Sequence, residues 1–387
     1  MKAPALLAAL ALLCAGPASA QTPVKIGMIT TLTTPGGYLG EDVRDAFRLA
    51  IDEEGGKLGG VPVQLIVEDD NLKPANGKQI ADKMLQQDKV KLVTGLIFSN
   101  VAGAVAPTVL EAGAFYVSPN AGPSNFAGKD CHKNYFVASW QNDSLHESAG
   151  QAATNLGYKK MVILAPNYQA GKDALTGFRR YFKGEVVEEI YTKLDQTDFS
   201  AELARIRALK PEAIYQFHPG GQGITFVKQY VQAGLIGSTP MVVSEVSMEP
   251  RILAAVGDAA VGVNVTGHWN NDFANPASQA FVKAFTAKYN RPPTVYAQQG
   301  YDTAKLIGSA LKAVGGDLGK EDAFRAALRK ADFVSTRGSF KFGANQHPVQ
   351  DWYAFKVEAG PDGKPAIVTK GKVLSNHGDA YAKDCKM

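Results

Sequence analysis

Short strand-like runs alternate with helical patterns along nearly the whole chain, and this rhythm limits what the sequence can fold into more than any other feature. Residues 24–29 read as a strand. Residues 42–54 then place Val43, Ala46, Phe47, Ala50 and Ile51 on one helical face, and 63–68 alternate as a second strand. A helix over 76–87, a strand over 92–97, a helix from Ser99 toward Ala112 and a strand over 114–118 complete a first series. Beyond a Gly/Pro/Asn-rich connection the rhythm restarts. Strands are expected at 161–165, 186–191, 213–217, 241–244 and 261–266, with helices at 172–182, 199–209 and 224–233. Longer helical patterns fill 278–289 and 296–314, and 351–357 alternates once more. The tail after Gly360 is polar and rich in Gly and Lys, which predicts a surface position.

Strands separated by helices of about 10–15 residues imply βαβ units and parallel sheets. Two such series predict two doubly wound α/β lobes, since 387 residues exceed what one core holds. In open sheets of this kind ligands sit outside the carboxyl ends of the strands, so functional residues should follow strands directly.

Residues 1–20 read as a secretory signal peptide: Lys2, a short apolar run from Leu6, and the small-residue pattern Ala18-Ser19-Ala20. The alternative is a lipoprotein signal modified at Cys14. The signal-peptide reading implies export, with the periplasm as the expected location. Cys131 and Cys385 then remain, and an oxidising compartment favours a bridge between them over two separate thiols. The formal charge of +4 is spread along the chain without a basic block, which argues against a nucleic-acid partner. A phosphate-binding Gly-Lys loop, a dinucleotide fingerprint, a Cys-x-x-Cys pair and a Gly-x-Ser-x-Gly elbow are all missing. His146-Glu147 lacks the second His of a zinc motif. Neither enzyme chemistry nor a metal or other cofactor is expected.

Seven segments, in order, carry a family resemblance: V-K-I-G-M-I-T, D-A-F-R-L-A-I-D-E, L-V-T-G-L-I-F-S-N, F-Y-V-S-P-N-A-G-P, Y-F-V-A-S-W-Q-N-D, A-P-N-Y-Q-A-G-K-D and G-D-A-A-V-G-V-N-V-T. Together they resemble the leucine/isoleucine/valine-binding family of ABC-importer receptors. The resemblance implies a type I periplasmic-binding fold, two Rossmann-like lobes joined by a three-strand hinge. It places 24–140 with 267–345 in one lobe and 141–266 with 346–387 in the other. It also implies a monomer that closes on a small-molecule ligand and delivers it to permease subunits. A ligand sensor of the same fold is the alternative of another class.

The same resemblance implies a site. Ser99, with the nearby amide of Asn100, would hold a carboxylate at a helix start; the plainer reading of Ser99 is an N-cap. Asn120, Ala121 and Gly122 match a segment of backbone donors, although Gly122 stands where the family commonly has Thr. Tyr38 matches an aromatic lid, or is an exposed loop aromatic. In the second lobe the family's Tyr-Gly reads Ala170-Gly171 with Tyr168 just before it, and His218 stands near the family's later aromatic. Smaller side chains there leave room for a flatter ligand than leucine. An aromatic acid such as a hydroxybenzoate or phenylpropanoid is favoured, with Tyr38, Phe98 or Tyr168 stacking on it. Branched-chain or aromatic amino acids are the alternative, because Glu245 matches the residue that pairs with an α-ammonium; it could otherwise be a solvated loop residue. His218 could bond a ring hydroxyl, or serve as a cap or surface residue.

Overall fold

The computed structural model describes residues 22–360 and 363–387. The expected signal peptide lies outside the described residues. Two α/β lobes are joined by connecting strands, as the alternation predicts.

The first lobe is built on a six-stranded sheet. Its strands are β1 (Val24–Thr30), β2 (Lys57–Leu58), β3 (Val61–Asp69), β4 (Leu92–Thr94), β5 (Phe115–Ser118) and β6 (Tyr135–Val137). They lie in the order β2-β3-β1-β4-β5-β6, all neighbours parallel except β2 with β3. Helices α1 (Gly37–Glu53), α2 (Pro74–Gln86), α3 (Ser99–Glu111) and the short α4 (Ser124–Ala127) connect these strands. Strands β1 and β4 are neighbours but not consecutive, so the strand order reverses between them and opens a crevice at their carboxyl ends.

After β6 the chain crosses into α5 (Asn142–Asn155) and begins the second sheet. Its strands β7 (Lys160–Pro166), β8 (Glu185–Thr192), β9 (Ala213–Gln216), β10 (Met241–Ser244) and β11 (Asn264–Gly267) alternate with α6 (Gln169–Tyr181), α7 (Ser200–Leu209), α8 (Gly220–Gln232) and α9 (Pro250–Val256). The parallel order β8-β7-β9-β10-β11 gives a second reversal between β7 and β9. The chain then returns to the first lobe as α10 (Pro276–Tyr289), α11 (Val295–Val314) and α12 (Glu321–Lys330), with α11 packed along α1. It crosses a third time into β12 (Lys341–Phe342), β13 (Pro348–Ala359) and β14 (Pro365–His377) at the edge of the second sheet.

The tail holds a strand that the alternation did not announce: β14 is antiparallel and paired with β13. None of its residues is fully buried, so it lacks the in–out alternation that marks a strand covered on one face. Beyond it Cys385 bonds Cys131 in a disulfide with 5.6 Å between the Cα atoms, fastening the C-terminal tail to the first lobe.

A buried polar chain ties the three crossings together. Arg337 donates to the carbonyls of Ala138 (2.7 Å) and Ser139 (3.0 Å), to Gln350 (2.8 Å), and to Asp302 (3.3 Å). Gln298 donates to Asp302 (2.9 Å) and to Thr336 (2.8 Å), and also meets Nε2 of His268 (3.1 Å). Buried charges persist when they are paired and hydrogen-bonded, and here the pairing joins the segments that pass between the lobes.

Candidate functional site

The two strand-order reversals face each other, and between them lies a narrow cavity. It offers about 30 Å³ to the centre of a water-sized sphere, room for a few waters at about 10–15 Å³ each. Loops at the carboxyl ends of five strands supply most of its wall. Ile97, Phe98 and Ser99 follow β4, and Asn120 follows β5. Tyr168 and Ala170 follow β7, Phe217 and Pro219 follow β9, and Val246 follows β10. Leu39 of α1, Tyr296 of α11, and Trp140, Asn142, Leu145 and His146 around the start of α5 close it.

The polar end belongs to Ser99. Phe98, not Ser99, is the N-cap of α3, so Ser99 is the first helical residue and its hydroxyl does not cap its own helix. Ser99 Oγ instead accepts from Asn142 Nδ2 (3.1 Å), which leaves the hydroxyl hydrogen free to point at a ligand. No side chain caps α3, so the positive end of its dipole faces the cavity. Asn142 is held in turn: its Oδ1 accepts from Gly122 N (3.1 Å) and its Nδ2 also donates to Asp173 (2.9 Å). Asp173 further accepts from Ser124 Oγ (2.7 Å) and Gln169 (2.8 Å). Burial raises its carboxyl while these donors oppose the rise. Asn120 Nδ2 donates to Gln299 (2.8 Å).

Gly122 is accounted for by space. A Cβ there would lie 2.1 Å from the Trp140 carbonyl oxygen, so no threonine fits the turn that this chain makes. Ala121 is buried behind the cavity, where its carbonyl accepts from Ser118 Oγ (2.7 Å). Asn100 faces an outer, solvent-open hollow of about 620 Å³, which shares Phe98 and Pro219 with the inner cavity.

The other end is aromatic. Tyr168 and Phe217 stack at 6.3 Å, Phe98 lies 6.4 Å from Tyr168, and His146 meets Phe217 edge-on at 4.8 Å. His146 is only 2% exposed, and burial holds its imidazole down to about 3, so it is neutral at physiological pH. Its Nδ1 is bonded to the Tyr215 hydroxyl.

Besides Asn100, Ala121 and Gly122, three further residues named from the sequence stand outside the cavity. Tyr38 does not line the cavity; its hydroxyl crosses the cleft and donates to Glu249 (2.9 Å), under the Arg251 guanidinium at 4.8 Å. With Arg251–Asp42 (3.0 Å) and Gly221 N to Pro35 O (3.2 Å), it latches the lobes shut. His218 sits in the core of the second lobe, bonded to Thr192 (3.0 Å) and Gln216 (2.8 Å) and stacked on Phe226 at 4.8 Å. Glu245 turns back toward the buried polar chain at the crossings. It accepts from the His268 amide (3.2 Å) and meets that imidazole at 2.5 Å, in space that exists because residue 267 is glycine.

Sequence reasoning missed Trp140, Asn142, His146, Phe217 and Tyr296. Asn142 lies inside the quoted Y-F-V-A-S-W-Q-N-D segment, and His146 lies one helical turn further on the same face, so both were findable. Phe217 is the residue directly before His218 and takes the place in the cavity expected of it.

Residues 23–364 match the family described as periplasmic binding protein. A solute-binding protein of an R. palustris ABC transporter, solved with benzoate, is 33% identical, covers 95% of this chain and all of its own length, and superposes with a TM-score of 0.90. Another, from Rhodopseudomonas palustris BisB5 and solved with 3,4-dihydroxybenzoic acid, is 29% identical over 92% of this chain and 99% of its own, with a TM-score of 0.85. A "Leu/Ile/Val-binding protein homolog 6" of Brucella melitensis is 28% identical over 88% of this chain and 89% of its own length. Among the described residues no group of side chains suits a metal ion, and no helix is long and apolar enough to cross a membrane. The chain belongs to the periplasmic binding protein family: it is a periplasmic ABC-transporter solute-binding protein of the Leu/Ile/Val-binding type, a carrier and not a catalyst, whose partners are a small ligand and an importer's permease subunits.

Proposed function

We propose that this protein captures a small aromatic carboxylic acid by closing its two lobes, 24–140 with 267–345 and 141–266 with 346–387, and presents the closed form to its permease. The carboxylate sits at the start of α3, taking the Ser99 hydroxyl and the amides of the first turn. The ring lies against Phe98, Tyr168 and Phe217, and Ala170 leaves room for it. Asn120 and the Asn142–Gly122 pair hold the shape of the polar end. Tyr38 acts as a latch beside the site.

One observation carries the choice of ligand. No acidic side chain lines the cavity among the described residues, and Glu245, the candidate partner for an α-ammonium, is already paired with His268. An amino acid would bury its ammonium without a counter-charge, which costs several kcal/mol (roughly, for a buried ion). A benzoate-type acid carries no such group. The solved relatives holding benzoate and dihydroxybenzoate support the same reading.

A thermal-shift screen tests it, because a ligand that binds only the folded state raises the melting temperature. Benzoate, 4-hydroxybenzoate and cinnamate should raise it, with smaller shifts from leucine and phenylalanine. A larger shift with leucine than with any aromatic acid would overturn the proposal.

A further inference from the structure

We propose that His146 is a specificity-determining residue that reads a hydroxyl on the ligand's ring, on the side opposite the carboxylate. The inference rests on the aromatic-acid reading above and deepens it.

His146 lines the cavity and is almost fully buried. Its Nδ1 is taken by the Tyr215 hydroxyl beneath it, while Nε2, on the far edge of the ring, has no hydrogen-bond partner among the described residues. A polar atom without a protein partner, on a residue at the wall of a ligand cavity, is available to a ligand group. Its neighbours cannot serve: Phe217 presents an edge and Leu145 an aliphatic chain.

The chemistry of that group follows from the imidazole being neutral. If Tyr215 donates to Nδ1, Nε2 carries a hydrogen and donates to the ligand. If Tyr215 accepts, Nε2 is bare and accepts. A hydroxyl satisfies either tautomer, since it can donate or accept. A ring C–H satisfies neither.

Position sets the hydroxyl apart from the carboxylate. Asn142, which holds Ser99, and His146 are four residues apart on α5, so they share a face and are separated by about 6 Å along the axis. Ser99 stands at the polar end of the cavity and His146 among the rings at its aromatic end. Tyr168 and Phe217, stacked at 6.3 Å in the same cavity, supply apolar surface for the ring.

The experiment is calorimetric titration of benzoate and 4-hydroxybenzoate into the wild type, His146→Phe and His146→Gln. The wild type should prefer 4-hydroxybenzoate by about tenfold, the size of one hydrogen bond left unmade. His146→Phe should bring the ratio close to one while benzoate still binds, and His146→Gln, which keeps a donor and an acceptor, should retain part of the preference. Nitrogen NMR of wild-type protein labelled at histidine gives a readout independent of any variant: the His146 Nε2 signal should move with 4-hydroxybenzoate and not with benzoate. Both acids binding with a ratio that His146→Phe leaves unchanged, or an Nε2 signal indifferent to the hydroxyl, would overturn the role of His146 alone. Failure of both acids to bind the wild type would overturn the aromatic-acid reading, and this inference with it.

Discussion

The two walls of the cavity are built on different principles. The first lobe meets it with hydrogen-bond donors at a helix start: Ser99 on α3, with Asn120 beside it. The second lobe meets it mainly with rings, Tyr168, Phe217 and His146, to which the first lobe adds Phe98 and Tyr296, while Asn142 of the second lobe steadies Ser99. A carboxylate needs directed donors and a helix dipole, whereas a ring needs area. The division therefore separates a wall that recognises a charge common to many metabolites from a wall that selects the body attached to it. Only a molecule carrying both touches both lobes, and only such a molecule has a differential affinity for the closed form.

The largest perturbation should come from the donor wall's own backbone. Gly122→Thr would force a Cβ against the Trp140 carbonyl, and overpacking of this kind costs about 3 kcal/mol or more at its upper end. The melting temperature should fall sharply, with loss of ligand binding in the same titration. On the aromatic wall, Tyr168→Ala removes buried ring surface at the cavity, and truncating such an anchor costs about 2 kcal/mol or more in affinity. If Tyr168→Ala binds aromatic acids as tightly as the wild type, the ring does not rest on the second lobe. Ser99→Ala should weaken all carboxylates by about 1–3 kcal/mol, with little change in preference among rings. A change of preference at unchanged affinity would mean that the walls are not divided as described.

The smallest effect concerns the latch. Burial raises Glu249 from 4.5 to about 7 in the closed form, where it receives the Tyr38 hydroxyl. Part of that rise comes from the facing lobe, through the Asp42 carboxylate, so the closed form is favoured while Glu249 is protonated. That contribution is complete below its ordinary range and is lost as pH climbs through about 7. Affinity should fall a few-fold between about pH 5.5 and about pH 8.5, and Glu249→Gln should flatten the profile. A wild-type affinity that rises across that range would contradict the assignment.

The two walls also differed in how plainly the sequence announced them. Phe98, Ser99 and Asn120 sit directly after strands whose apolar runs are unmistakable, so strand ends pointed to them. Tyr168 and Ala170 were reached in the same way. His218 and Glu245 also follow strands, yet one is stacked in a core and the other is bound to the buried polar chain. Which way a residue turns after a strand depends on partners distant in the chain, here Thr192 and His268, and spacing carries no trace of those. Helix α5 escaped notice because its buried first two turns are polar: Asn142, Asp143, Ser144, His146 and Glu147 are covered by the hinge region and the tail instead of by an apolar face. Hydrophobic periodicity detects helices that pack on a core, and a helix buried through its hydrogen bonds is invisible to it. The fold was legible because it rests on period and order. The selective wall was less so because the direction its residues turn depends on partners that the fold brings together from distant parts of the chain.

A crystal structure of the protein with 4-hydroxybenzoate tests the account most directly. It should show closed lobes, the carboxylate on Ser99 Oγ and the first amides of α3, and the ring against Tyr168 and Phe217. A carboxylate placed away from α3, or a ring lying in the outer hollow beside Asn100, would contradict it.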